Sequence, residues 1–158
     1  MAMYKAGIVS GVTQNTFEPD RSITRAEFAT LIAKALKLEN AKADFADVTD
    51  EWFAAFVGAA AKAGIIAGSD GFFRPNDTIT REEMAVIVVK AYEYLGKTSQ
   101  NAELGFTDND EISVWATEFV EKAVGVGLIS GMGDGSFGPK ASATRAQSAS
   151  LVKRLLNV

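Results

Sequence analysis

The sequence contains no cysteine and no histidine in its 158 residues. Without cysteine the chain can form neither disulfides nor thiolate metal sites. Without histidine it has no Ser-His-Asp triad, no imidazole metal ligand and no side chain that ordinarily exchanges protons near neutral pH. Any catalysis would have to use carboxylates, lysine, tyrosine or hydroxyl groups, so the range of possible enzyme chemistry is narrow.

Positive charge and long apolar stretches are also scarce. The 16 lysines and arginines are outnumbered by 20 acidic residues, which gives a net charge of −4, whereas general nucleic-acid binders carry a basic excess. The longest run of hydrophobic and glycine residues, 53–61, ends at Lys62 and is far shorter than the ~20 residues of a spanning helix. The first five residues lack the apolar segment of a signal peptide. We therefore expect no nucleic-acid partner and no membrane insertion.

What dominates the chain is internal repetition. One glycine-bounded hexapeptide recurs at 6–11 (AGIVSG), 63–68 (AGIIAG) and 126–131 (VGLISG). Each copy is followed by a Phe-x-Pro motif and then by a Thr-Arg pair. Repeats of this length indicate units that bury their apolar faces only by packing on one another. We predict one module, 1–158, of three repeats: 1–38, 45–95 and 106–158.

The second and third repeats share an upstream half that the first lacks. Phe45-Ala-Asp47 matches Phe106-Thr-Asp108, and Trp52 matches Trp115. In the first repeat the equivalent of this half falls before residue 1, so repeat one is expected to be partial. Its neighbours would then keep uncovered apolar stripes, which favours self-association through the incomplete repeat.

Each Thr-Arg pair is expected to begin a helix. Thr24 with Glu27 and Thr80 with Glu83 form the capping-box pattern, and Gln147 can replace the glutamate in the third repeat. An apolar stripe at helical spacing follows in the first repeat, at Phe28, Leu31, Ile32, Ala35 and Leu36. The fold class is mostly α, with helix-loop-helix repeats.

The upstream half predicts a second helix in repeats two and three. Its apolar face is expected to include Trp52 with Phe56 in one repeat and Trp115 with Phe119 in the other. Gly64 and Gly127 stand where this helix should end. Asp-Gly pairs then predict turns in the loop that joins the two helices.

These motifs resemble the S-layer homology (SLH) family. The order Phe-x-Asp, Trp, Ala-Gly-Ile-x-x-Gly, Asp-Gly, Phe-x-Pro and Ile-Thr-Arg-x-Glu stands almost whole in the second repeat, and most of it recurs in the other two. The resemblance implies three repeats packed as a pseudo-threefold module. It also implies a non-catalytic anchor on the bacterial cell surface that binds an anionic secondary cell-wall polysaccharide, commonly with a pyruvylated amino sugar, in grooves between repeats.

The sharpest candidates for ligand contact are Arg25, Arg81 and Arg145. A helix N-terminus carries partial positive charge and disfavours a cation, so three arginines there suggest a prepared anion site. A solvated arginine, or one paired with an Asp of the next repeat, explains the pattern equally well from chemistry alone. The resemblance favours ligand contact.

The other candidates are three glycines and two tryptophans. Gly11, Gly68 and Gly131 would let a sugar approach the backbone, or would serve a turn with positive φ. Trp52 and Trp115 would stack on sugars, although aromatics at helical spacing are usually core. We expect part-buried rings. We also expect the pairing of repeats one and two to form the most complete groove, with Arg25, Gly68, Trp52 and Arg81 in it.

The acidic side chains of the motifs are better explained by helix capping and turn formation than by catalysis or metal binding. The capping glutamates need no further role, and the acidic run 108–111 lacks the calcium-loop pattern. We therefore expect no catalytic residue, no metal and no cofactor. The alternative function is a protein-protein or self-assembly module of a surface layer without a sugar site, and a wall hydrolase ranks third because no motif selects a carboxylate pair.

The partial first repeat generates a testable expectation. If its missing half leaves apolar surface uncovered, the 158-residue chain should dimerise or unfold more readily than a chain extended upstream. Light scattering and thermal denaturation of the two proteins measure this. A compact monomer as stable as the extended chain would contradict it.

Overall fold

The computed structural model describes residues 20–157. Within this range the chain forms five α-helices: α1 Arg25–Ala35, α2 Ala54–Lys62, α3 Arg81–Tyr94, α4 Val114–Gly125 and α5 Arg145–Asn157. A short 3₁₀ turn, Asn109–Glu111, precedes α4. The described residues form isolated β-bridges but no sheet. The predicted mostly-α class is confirmed.

The helices that follow the Thr-Arg pairs begin as predicted. In α1 the Thr24 hydroxyl accepts from the Glu27 amide, and the Glu27 carboxylate accepts from the Thr24 amide at 2.9 Å. α3 repeats this reciprocal box. In α5 the Gln147 side-chain oxygen accepts from the Thr144 amide at 3.0 Å, so the amide side chain caps the helix as well as a carboxylate does.

The upstream helices differ from the prediction by one residue in register. α2 begins at Ala54, so Trp52 precedes the helix, and the buried positions of this half are Phe53, Val57 and Ala60 together with Ala59. In α4 the buried stripe is Ala116, Val120 and Ala123. The two tryptophans therefore point away from the core, contrary to the expected part-buried rings: Trp52 is 64% exposed and Trp115 is 57% exposed.

Both upstream helices end at the predicted glycines. Gly64 and Gly127 each have φ of 78°, a left-handed conformation that glycine adopts without steric cost. The Gly64 amide donates to the Ala61 carbonyl and the next amide, of Ile65, donates to the Ala60 carbonyl, both at 3.0 Å. This pair of hydrogen bonds is the Schellman motif. It ends the helix and directs the chain into the loop that leads to the second helix of the repeat.

A ring of three backbone hydrogen bonds joins the repeats at the centre of the molecule. The Ile23 amide donates to the Ala143 carbonyl at 3.0 Å, the Ala143 amide to Ile79 at 2.8 Å, and the Ile79 amide to Ile23 at 3.0 Å. Each residue lies just before a capping threonine, and all three are buried. The closed ring requires one strand-like residue from every repeat, which confirms the pseudo-threefold arrangement.

The helices pair across repeats. α1 packs mainly against α2, and α3 packs mainly against α4. The connectors between the paired helices lie against glycines, since Gly58 of α2 faces the backbone of Ala41 and Gly125 of α4 faces the backbone of Gln100. The polar connectors thus separate the repeats along the sequence, and in the folded chain they pack against the second helix of each pair.

Gly58 provides a test of this packing. Alanine is favoured over glycine in a helix by about 1 kcal/mol, but a Cβ on Gly58 would collide with the Ala41 carbonyl. We expect the collision to win, so that Gly58→Ala lowers the free energy of unfolding by about 1–3 kcal/mol. Gly105→Ala, in open space, is the matched control and should be nearly neutral. Denaturant unfolding measures both, and a stabilised Gly58→Ala protein would contradict the packing.

Candidate functional site

Three buried arginines mark the junctions between repeats. Arg25, Arg81 and Arg145 are the first residues of α1, α3 and α5, and they are only 7%, 4% and 5% exposed. The solvated-arginine alternative is therefore wrong. Burying a guanidinium is unfavourable unless its charge and its N–H groups find partners, so the partners define the site.

Two of these arginines bind the loop of the following repeat through the same contacts. Arg25 Nε donates to the Phe73 carbonyl at 2.9 Å, and Arg81 Nε donates to the Phe137 carbonyl at 2.8 Å. Each guanidinium also lies 4.9 Å from the centre of that phenylalanine ring. The loop of one repeat and the helix start of the preceding one are thus joined by a hydrogen bond and a cation–π contact.

The same loop peptides are held from the other side by aspartates of their own repeat. Asp47 accepts from the amides of Phe73 and Arg74, both at 2.9 Å. Asp108 accepts from Phe137 at 2.8 Å and Gly138 at 2.9 Å. We call this arrangement the loop clamp: an aspartate accepts from the loop N–H groups, and an arginine donates to the loop C=O group.

The arginines differ in their carboxylate partners. Arg25 Nη1 lies 2.6 Å from Glu83 Oε2, and Arg145 Nη1 lies 3.3 Å from Glu27 Oε2. Both partners are capping-box glutamates of the next repeat around the ring. The equivalent position for Arg81 is Gln147, and Arg81 Nη2 instead donates to the Ser130 carbonyl at 2.6 Å. The pairing alternative therefore holds for Arg25 and Arg145, with glutamate in place of the expected aspartate.

Burial and neighbouring charge act in opposite directions on these guanidinium groups. Burial lowers the pKa of Arg25, and the Glu83 carboxylate opposes that effect. Burial also lowers the pKa of Arg81, where the opposing charge is the more remote Asp108. Arginine stays protonated throughout the physiological range, so both groups remain cations inside poorly hydrated surroundings.

Two grooves open beside the clamps. The Arg25 groove, about 460 Å³ in volume, lies between repeats one and two, and the Arg81 groove, about 320 Å³, lies between repeats two and three. The first is lined by Arg25, Gly68, Arg74, Glu83, Lys90 and Trp115, with aliphatic neighbours. The second is lined by Arg81, Ser130, Gly131, Met132, Gln147 and Arg154, with aliphatic neighbours.

The predicted glycines line these grooves, for a steric reason rather than a turn. Gly68 and Gly131 do not have positive φ. A Cβ on Gly68 would lie 2.6 Å from the Phe45 ring, and one on Gly131 would lie 2.7 Å from the Phe106 ring. The absence of a side chain thus lets the Phe-x-Asp aromatic pack closely against the groove lining. Gly11 lies outside the described residues.

The residues expected to share the groove between repeats one and two do not all lie in it. Arg25 and Gly68 meet, as predicted, but Arg81 belongs to the next groove. Trp115, from the third repeat, lines the Arg25 groove, whereas Trp52 lies edge-on to Phe53 and appears in neither of the two grooves. The upstream half of the third repeat thus contributes to the groove between repeats one and two.

Residues 20–157 contain neither a metal-binding cluster nor a candidate membrane span. This range brings together no group of three or more carboxylates that would hold a metal ion. The acidic run 108–111 forms the 3₁₀ turn before α4, with Asp108 committed to the loop clamp. No helix in the described range has the length and apolarity needed to cross a bilayer.

Comparison with known proteins decides the family. The S-layer homology domain family matches residues 1–29, 44–85 and 105–149, one segment in each predicted repeat. The chain belongs to this family. The second and third matched segments begin one residue before the predicted repeats, and the exact boundaries at 1–38, 45–95 and 106–158 stay a prediction.

Similar sequences occur inside larger proteins. An exoglucanase, XynX, of Acetivibrio thermocellus is 42% identical over 94% of this chain and 14% of its own length. The S-layer protein sap of Bacillus anthracis is 34% identical over 96% of the chain and 19% of its own. A cellulosome-anchoring protein of Acetivibrio thermocellus is 34% identical over 96% and 36%. The SLH chain therefore spans well under half of each relative.

Sequence reasoning did not assign the loop clamp. The repeated Phe-x-Asp pattern was the available signal, because an aspartate at the same place in two repeats indicates a common structural task. The asymmetry between Glu83 and Gln147 was visible in the sequence but was interpreted only as a capping difference. The residue at this position also decides whether the arginine opposite it has a carboxylate partner. Which arginine lies opposite depends on how the three repeats pack together.

The clamp aspartates predict how stability depends on pH. Burial alone would raise the pKa of Asp47 and of Asp108, but the amide hydrogen bonds outweigh it and hold both pKa values below the ordinary one. A lowered folded-state pKa contributes stability that is present above the unfolded pKa and is lost as pH falls through the folded value. Asp47→Asn with Asp108→Asn should therefore lower Tm most near neutral pH, and the difference should shrink below about pH 4.

The control for this comparison is Asp110→Asn, an exposed change outside the clamp, which should leave Tm almost unaltered at neutral pH. Thermal melts of the three proteins between acidic and neutral pH measure the effect. A deficit in the double variant that is constant across pH would contradict the charge argument.

Proposed function

We propose that this SLH chain is a non-catalytic anchor that binds a secondary cell-wall polysaccharide, through a pyruvylated amino sugar, in the grooves between its repeats. The observation that carries the proposal is the set of buried arginines at the repeat junctions, because two of them line grooves that also contain a motif glycine. The S-layer and cellulosome-anchoring relatives support the anchoring role, and the chain is an extracellular module of the bacterial cell surface.

The groove linings combine a buried guanidinium with an apolar surface, which suits an anionic sugar. A guanidinium offers planar N–H donors that match carboxylate geometry, and the first turn of a helix adds partial positive charge. In the Arg25 groove the exposed indole of Trp115 provides an apolar face for a pyranose ring. In the Arg81 groove Met132 offers a flexible apolar surface.

The grooves are poorly suited to glycoside hydrolysis. Hydrolases of the common kinds place two carboxyl groups on either side of the scissile bond. The lining of the Arg25 groove contains one carboxylate, Glu83, and that group caps α3 and pairs with Arg25. The lining of the Arg81 groove contains none. These facts support a binding role over catalysis.

The enzyme relatives fit the same role. In the exoglucanase the similar segment occupies 14% of the protein, and in an amylopullulanase of Thermoanaerobacterium thermosulfurigenes it occupies 8%. A small shared segment in proteins of different activity supports a portable attachment device rather than a catalytic part. We propose that this chain likewise holds an attached cargo at the wall.

Co-sedimentation with purified walls tests the function. The chain should sediment with intact walls, should stay in solution when the non-peptidoglycan polymer has been chemically removed, and should release no reducing sugar. Walls from which only the pyruvyl groups have been removed provide the finer control and should also fail to bind. Binding to stripped peptidoglycan would contradict the proposal, and release of reducing sugar would indicate a hydrolase. Binding only to other copies of the protein would indicate the self-assembly alternative.

A further inference from the structure

The two grooves differ at the capping residue that lies opposite the buried arginine, which is Glu83 in the Arg25 groove and Gln147 in the Arg81 groove. In the Arg25 groove both carboxylate oxygens of Glu83 are used: Oε1 accepts from the Thr80 amide at 3.0 Å, and Oε2 accepts from Arg25 at 2.6 Å. Arg74 adds a second contact to Oε2, at 3.1 Å. The protein's own carboxylate therefore already occupies the position in front of Arg25.

Gln147 cannot do the same for Arg81. Its Oε1 accepts from the Thr144 amide at 3.0 Å, so the remaining side-chain atom is the amide nitrogen. That nitrogen is a donor only and offers nothing to a guanidinium. The capping function is retained, and the acceptor oxygen that Glu83 presents to Arg25 is replaced by a second donor.

Arg81 is consequently a buried cation with an incomplete set of partners. Its Nε and Nη2 donate to the carbonyls of Phe137 and Ser130. Its Nη1 has no hydrogen-bond partner among residues 20–157, although the side chain lines the groove and the residue is only 4% exposed. The other cation of this groove, Arg154, is exposed and donates to the Leu128 carbonyl at 3.3 Å. No acidic side chain lies in the groove lining.

We propose that the Arg81 groove is the carboxylate-selective site of the module, and that residue 147 sets this selectivity by being glutamine where the preceding repeat has glutamate. A single ligand carboxylate would accept from Arg81 Nη1 and from the Gln147 amide, in the place that Glu83 Oε2 takes before Arg25. In the Arg25 groove Glu83 takes this place itself, so a ligand carboxylate does not reach Arg25 and the groove offers mainly the apolar face of Trp115. This inference rests on the proposed function for the identity of the sugar, but not for the preference of the groove for a carboxylate.

An exchange of the two capping residues tests the assignment. Gln147→Glu keeps the cap and adds a carboxylate beside Arg81, so it should preserve or raise Tm while weakening binding of the methyl glycoside of pyruvylated N-acetylmannosamine by about tenfold or more. Glu83→Gln should free Arg25 and add a second binding event in calorimetry. Gln100→Glu, which adds the same charge at an exposed position outside the grooves, should bind like the unaltered protein. The sugar without pyruvate is the ligand control.

A second measurement does not depend on the sugar. Pyruvate is titrated into protein labelled with ¹⁵N-arginine, and the side-chain Nε–H signals are followed. The Arg81 signal should move and the Arg25 signal should stay, and Gln147→Glu should abolish the movement.

The outcomes separate the two proposals. If the protein binds neither walls nor the pyruvylated sugar but pyruvate still moves the Arg81 signal, the proposed function fails and the groove assignment stands. If the sugar binds with unchanged affinity to Gln147→Glu while Arg25 responds to pyruvate, the groove assignment is wrong and the proposed function stands. If neither arginine responds and the exchange of residues 83 and 147 has no effect, the assignment is also overturned.

Discussion

The structure depends on the need to satisfy a guanidinium that is buried at the start of a helix. A helix N-terminus presents N–H donors and partial positive charge, so the first turn of α1 or α3 offers an arginine nothing to donate to. The acceptor comes from the following repeat, as the carbonyl of Phe73 or Phe137. Each of these repeats therefore provides the acceptor that lets the arginine of the preceding repeat be buried.

The central ring of hydrogen bonds sets the geometry within which the clamps operate. Because Ile23, Ile79 and Ala143 each donate to one neighbour and accept from the other, the three helix starts are held next to one another. The arginines that follow two residues later must then point outward into the junctions. The grooves arise from this closure, since each junction combines a helix start, a loop and the first turn of a neighbouring helix.

Local sequence patterns predicted the elements that depend on local chemistry. The capping boxes at Thr24 and Thr80 and the terminal glycines Gly64 and Gly127 are where they were expected, since their hydrogen bonds span only three to five residues. The register of α2 was wrong by one position. A tryptophan at helical spacing looks like core, but Trp52 is placed outside by a helix that begins two residues later.

The composition of the grooves was not predictable from one repeat at a time. Arg25 and Glu83 are 58 residues apart, and Trp115 reaches their groove from the third repeat. Such contacts depend on how the ring closes, which the repeat pattern does not specify. The sequence did contain the relevant difference, glutamate against glutamine at one motif position, but its consequence required knowing that an arginine lies opposite.

The capping position therefore links stability and recognition. A glutamate there caps its own helix and neutralises the arginine of the preceding repeat, which stabilises the junction because a buried guanidinium gains a short ion pair. A glutamine caps equally well but leaves that arginine with an N–H group directed to no acceptor in the described chain. A buried guanidinium without an ionic partner is unfavourable in the free protein, and in the proposed complex the ligand carboxylate provides that partner. At equivalent positions of related repeats, one amide in place of one carboxylate thus changes the charge that faces a buried arginine.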